Sequence, residues 1–327
     1  MPGEFDLIQQ YFVRPTPGLA LGPGDDCALL DLPAGHSLAT SIDTLIQDRH
    51  FFADTDPRGL GHKALAVSLS DLAAMGATPM ACLLSLGIHR PDESWLQAFA
   101  SGFHELADQA GCPLAGGDTV RTPAGVIISV TVYGHVQKAQ ALRRDTARAG
   151  DDIWLTGNLG APDMALRILD GRLPSMGRQL SEVRPLLERP QPPWQFATLL
   201  AGMAHAAIDI SDGLLQDLTH VLRGSHCGAC LEYESLPVHS AVRQLDADTQ
   251  RSAVLEGGDV YQLCFTAAPD VRSCIVALAE QTHTAVTRIG HITADQALVV
   301  QKAGQTMATP GHGGYDHFRN PSSQASS

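Results

Sequence analysis

Residues 206–217 read AAIDISDGLLQD, an apolar run that carries Asp209 and Asp212 and breaks at Gly213. Read as a strand, it puts Ile208 and Ile210 on one face and Asp209 and Ser211 on the other. The stretch SDGLLQDLTHVLRGS then reads as a helix, with Ser211 or Asp212 as its N-cap. A carboxylate taken out of water is costly unless it is paired or bound to a cation. The rest of the chain must therefore supply a partner or an ion for Asp209.

Working outward, strands and helices alternate on both sides of this segment. SLATSIDTLI (37–46) alternates as a strand with Ser41 and Asp43 on one face. Residues 56–79 open a helix at Asp56-Pro57 and close it at Gly76. ACLLSLGI (81–88) is a strand, 92–111 a helix closed by Gly111, and GVIISVTVYGHV (125–136) a β-branched strand. CPLAGGDTV reads as a strand ending in a glycine turn. Beyond it, a strand near 152, the helix APDMALRILDG, a helix over WQFATLLAGMAHA, the strand VYQLCFTA and the helix DVRSCIVALAEQ follow. The two halves read as α/β and α+β domains, 1–145 and 146–318, before a disordered tail at 319–327.

The 327 residues are enough for two domains with real cores. The formal charge of −13 and the lack of a basic run exclude a nucleic-acid partner, because phosphate-backbone binding depends on lysine and arginine. No apolar stretch reaches membrane-spanning length, and the first residues lack the pattern of a signal peptide. Seven cysteines scattered among apolar neighbours fit a reduced, cytoplasmic protein. The CxxC of Cys227 and Cys230 lacks a second pair and reads as a loop or strand entry rather than a zinc site.

Several acids recur in unusual places. Asp25 and Asp26 follow a Gly-Pro-Gly turn, which alone suits solvated acids. Ala64, Val67, Ser68, Asp71 and Met75 share one helix face that is otherwise apolar or small. Asp118 follows Gly116 and Gly117, whose backbone is free for close approach by a phosphate. Asp212 alone is explained as a cap, and Asp209 is not. Hard divalent cations prefer oxygen ligands, and Mg²⁺ usually serves phosphates. The usual nucleotide loops GxxxxGK[ST] and strand-borne GxGxxG are missing, so nucleotide phosphates would have to be held through metal.

The segments GDDCA (24–28), SIDTLIQDRHF (41–51), KALAVSLSDLAAMGATP (63–79), LAGGDTV (114–120), ALRRDTARAGDDIWLTG (141–157), IDISDGL (208–214), LEGGDVYQLCF (255–265) and GGYDHF (313–318) together resemble the thiamine-monophosphate kinase family. That family belongs to the aminoimidazole ribonucleotide synthetase-like ATP-binding superfamily. The resemblance implies a two-domain PurM-like architecture: an α/β domain that dimerises through its sheet, an α+β domain, and ATP in the cleft between them. It implies transfer of the ATP γ-phosphate to thiamine monophosphate by direct in-line displacement, assisted by several Mg²⁺ ions.

By the same resemblance, Asp26, Ser41, Ile42 (through its carbonyl), Asp43, Asp71, Asp118, Asp209 and Asp212 bind Mg²⁺. Gly117, Asp118, Arg144 and Ser211 contact ATP, and Asp43, Asp118 and Arg144 position the reactants and stabilise charge. His50, Glu256 and an aromatic of the C-terminal motif, Tyr315 or Phe318, meet the substrate. One departure stands out: GGDVYQL replaces the family's GGEDYEL, with Val260 and Gln262 in place of acids. That departure keeps two alternatives open, another ATP-using member of the superfamily and a non-catalytic Mg-nucleotide sensor. The chain lacks the N-terminal cysteine of a selenophosphate synthetase and the C-terminal cysteine of a hydrogenase-maturation protein.

Overall fold

The computed structural model describes residues 4–90, 92–174 and 177–308. Tyr315, Phe318 and the tail expected at 319–327 lie outside the described residues. After α1 (Glu4–Tyr11) comes a four-stranded sheet of β1 (His36–Ile46), β2 (Thr78–Ile88), β3 (Leu114–Arg121) and β4 (Val126–Gln137), in the order β1-β4-β2-β3. The second sheet has seven strands: β5 (Asp152–Thr156), β6 (Ala206–Asp209), β7 (Gly228–Glu232), β8 (Leu263–Ala267), β9 (Val286–Thr293), β10 (Leu298–Lys302) and β11 (Gln305–Thr306). Their order is β11-β10-β7-β9-β5-β8-β6, so the Asp209 strand lies at an edge.

The helix α2 (Pro57–Ala74) joins the two sheets. Asp56 caps it by accepting from the Gly59 N–H at 3.0 Å. Fifteen of its eighteen residues are buried, so it is enclosed on every side rather than lying on a surface. One side packs on β1 and β4, another on α3 (Glu93–Ala110), and a third on β6 and α6 (Trp194–Leu200). The approach to α3 is close enough to demand glycine: a Cβ at Gly61 would lie 2.0 Å from the Phe99 carbonyl oxygen.

The strands of the second sheet separate two cores. Ile153 and Leu155 of β5 face α4 (Ala161–Leu169), α7 (Leu214–Ser225) and α8 (Ala247–Leu255). Trp154 faces the opposite way, toward α6, α9 (Arg272–Gln281) and the last turn of α2. A further helix, α5 (Arg178–Glu188), was not expected from the sequence. Conversely, the expected helix over 194–206 stops at Leu200.

Two local expectations are corrected. The glycines of LAGGDTV do not turn the chain: β3 continues through Gly116 and Gly117, parallel to β2, with a register shift just before Gly116. Helix α7 is not capped by Ser211 or Asp212. Its N-cap is Gly213, without a side-chain cap bond. Instead Asp217, in the first turn, reaches back and accepts from the backbone N–H groups of Ser211, Asp212 and Gly213 at 3.0–3.1 Å.

Candidate active site

Successive residues of a helix point about 100° apart, so Ser68 and Ser70 face nearly opposite sides of α2 and Asp71 lies between them. Ser68 Oγ donates to Asp43 of β1 at 2.8 Å, and Ser70 Oγ donates to Asp209 of β6 at 2.8 Å. Asp71 accepts a short hydrogen bond from Ser41 Oγ, two residues before Asp43 on the same face of β1. Three carboxylates from three elements thus lie around one helix, each oriented by a serine hydroxyl.

The electrostatics show what this cluster lacks. Burial pushes Asp43 up to about 6, Asp71 adds repulsion, and the Ser68 hydroxyl opposes both. Burial likewise raises Asp71, against the Ser41 hydroxyl and the positive charge of Arg144. Burial pushes Asp209 up to about 7, with repulsion from Asp71 and Asp217 outweighing Ser70 and Arg144. Carboxylates behave this way when desolvation is not offset by a countercharge. Arg144 reaches them because residue 143 forms a parallel bridge to Ala206, laying the inter-sheet segment along the free edge of β6.

The donor set therefore suits hard cations: it is all oxygen, charged, and short of positive charge. Among the described residues, no three histidine, cysteine, aspartate or glutamate side chains already converge as a group able to hold one metal ion. The acids are spread across α2 from β1 to β6 and form no closed cage of their own.

Not all expected site residues join this cluster. Asp26 is exposed and turns its Asp25 neighbour onto its own N–H. Ile42 points outward, 63 % exposed, on the face of β1 opposite Ser41 and Asp43. By register, Asp118 stands in the row Thr44, Ser129, Ser85, Asp118, on that same outer face. Asp43 stands in the inner row with Val130, Leu84 and Gly117. Asp118 thus stands on the sheet face opposite Asp43. Three strand spacings, about 14 Å, separate the Asp43 and Asp118 strands.

Gly117 is required by close packing, since a Cβ there would lie 1.9 Å from the Leu84 carbonyl oxygen. Beside it, Phe12, Leu84 and Leu114 line an apolar pocket together with Gly117, Asp118 and Thr119.

His50 follows β1, and its Nδ1 accepts from the Ile46 N–H at 3.0 Å. Asp212 accepts from the Gln216 amide at 3.1 Å and adds repulsion to Asp217, which burial pushes up to about 7. Ser211 gives its carbonyl to the Asp259 N–H at 2.8 Å. Glu256 ends α8 and accepts from Ser252 Oγ at 2.9 Å.

The chain is 39 % identical to the thiamine-monophosphate kinase of Salmonella typhimurium, over 98 % of this chain and 99 % of that protein. Residues 24–136 match the family model for the N-terminal domain of AIR synthase related proteins, and residues 148–303 match that for the C-terminal domain. The chain belongs to the thiamine-monophosphate kinase family. A thiamine-monophosphate kinase from Stenotrophomonas maltophilia superposes with a TM-score of 0.82 at 43 % identity, covering 89 % of this chain and 93 % of that one. AaThiL, solved in complex with AMPPCP and TMP, superposes with a TM-score of 0.75 at 25 % identity over 96 % of each chain. The two-domain architecture expected from the sequence is the one these kinases share.

In this member of the thiamine-monophosphate kinase family, the departure at GGDVYQL is explained by packing. Val260 is buried in the core of the second sheet. Gln262 accepts from Thr156 Oγ1 at 2.8 Å and donates its amide to the Gln191 carbonyl at 2.9 Å, a donation that a carboxylate cannot make. Sequence reasoning missed Ser70, Asp217, Lys63 and Tyr261. Asp217 had one available signal, an acid in the first turn of a helix that follows another acid by five residues.

Proposed function

We propose that the chain transfers the γ-phosphoryl group of ATP to thiamine monophosphate, giving thiamine diphosphate and ADP. One observation carries the reading: Asp43, Asp71 and Asp209 are arrayed around α2, buried and mutually repelling, with only serine hydroxyls and Arg144 to offset them. Near-full-length similarity to thiamine-monophosphate kinases selects the substrate.

Donor and acceptor are both anions, so the chemistry is chiefly in-line positioning and charge neutralisation. Several Mg²⁺ ions, held by Asp43, Asp71, Asp209 and Asp212, with Ser41, the Ile42 carbonyl and Asp26 contributing, would supply that neutralisation when bound. Arg144 adds fixed positive charge beside Asp71 and Asp209. Gly117, Asp118, Arg144 and Ser211 contact ATP, and the apolar pocket at Phe12, Leu84 and Leu114 takes the flat adenine. His50, Glu256 and Tyr315 or Phe318 receive the acceptor. No side chain acts as a covalent nucleophile.

The position of Asp118 points to a homodimer. It stands on the outer sheet face with the exposed Leu38, Ile42, Ile46 and Ile127, so a second copy packed there covers apolar surface and brings a second Asp118. Among the described residues no helix is long and apolar enough to cross a membrane, and the seven free cysteines fit a reducing, cytoplasmic setting.

A coupled ADP-release assay tests the reading. Release that depends on both thiamine monophosphate and Mg²⁺ is expected. ATP binding without release would favour a non-catalytic nucleotide sensor instead.

A further inference from the structure

Lys63 of α2 has a side chain only 2 % exposed, yet it carries an ammonium group. Its Nζ donates to Asp259 Oδ1 at 2.8 Å and to the His50 carbonyl at 3.4 Å. Tyr261 Oη donates to the same Asp259 oxygen at 3.3 Å. Asp259 and Tyr261 both adopt left-handed backbone, φ 58° and 51°, which non-glycine residues keep only where their surroundings hold them. The Tyr261 hydroxyl also lies within the field of Asp43 and Asp209. A buried ammonium is costly to keep, and an apolar residue would fill the same space without that cost.

We propose that Lys63 is a positioning residue for the phosphate acceptor. It ties the His50 turn of the first sheet to the Asp259–Tyr261 loop of the second, and it neutralises the carboxylate that would otherwise face an incoming phosphate. This role rests on the kinase reading above. It assigns to Lys63 a selective effect on the acceptor, because neither of its partners approaches the pocket beside Gly117.

The test is steady-state kinetics of wild type, K63M, D259N and the double variant, with each substrate varied in turn. K63M is expected to raise the KM for thiamine monophosphate about tenfold and to leave that for ATP within about threefold. Adding D259N to K63M removes the uncompensated negative charge, so the acceptor KM should fall back by at least about threefold. A merely structural role would move both KM values together. Equal rises in both KM values, or purely additive losses in the double variant, would overturn the proposal. If K63M proves too unstable to assay, D259N alone, which leaves the Lys63 charge unneutralised beside the acceptor, should lower the acceptor KM selectively, and a raised, unchanged or equally changed KM would overturn it. Wild type that releases no ADP with thiamine monophosphate removes the kinase reading itself and this role with it. Active wild type with an unaltered K63M removes the role alone.

Discussion

Ser70 of α2 donates its hydroxyl to Asp209 of β6 at 2.8 Å, across the boundary between the two sheets, and both groups are buried. The bond favours the ionised carboxylate, the form a cation needs. Ser70→Ala should therefore cost about 1–3 kcal/mol of stability. It should also shift the Mg²⁺ dependence of turnover to higher concentration. Thermal melts and a Mg²⁺ titration check the two effects separately.

Asp209→Asn should move stability and activity in opposite directions. Asparagine removes the repulsion from Asp71 and Asp217 while keeping the shape, so the metal-free protein should melt several degrees higher at pH 8. Turnover should fall by at least about a hundredfold, because a charged oxygen ligand is gone. Near-normal turnover would count against Asp209 as a ligand.

The same charges fix the pH dependence of the metal-free protein. Asp43 at about 6 and Asp209 and Asp217 at about 7 lie above the ordinary value of 3.8, so the folded state binds more protons than the unfolded state between those limits. Their contribution to stability is complete below pH 4 and is lost as pH rises through 6 and 7. In chelator, the slope of melting temperature against pH over that window should become less negative on Asp209→Asn. Mg²⁺ should restore more stability at pH 8 than at pH 5.5. An unchanged slope in the variant would refute the assignment.

Much of this was legible from the chain because the signals are local. The alternation of β1 correctly put Ser41 and Asp43 on one face, and the apolar run at 206–210 marked Asp209 as a buried charge. What escaped depends on tertiary partners. Lys63 looks like a break in an apolar helix until the loop at 259–261 folds over it. The two glycines before Asp118 suggest a turn, whereas the chain uses Gly117 to pass within van der Waals range of Leu84. Which sheet face Asp118 occupies follows from strand register, and no spacing along the sequence sets that.

The placement of Asp43 and Asp118 on opposite faces of one sheet yields the sharpest test of the dimer. If each site joins Asp43 of one copy to Asp118 of the other, D43N and D118N homodimers are both inactive, and a mixed dimer holds one intact site. Unfolding and refolding an equimolar mixture should recover about a quarter of wild-type turnover, since half the dimers are mixed and each has one working site of two. Ile42→Arg, which plants a charge on the outer face, should abolish both dimer and recovery as read by light scattering and ADP release. A mixture that stays inactive while light scattering shows intact dimers would mean that each chain completes its own site, with Asp43 and Asp118 engaging different parts of one bound ATP.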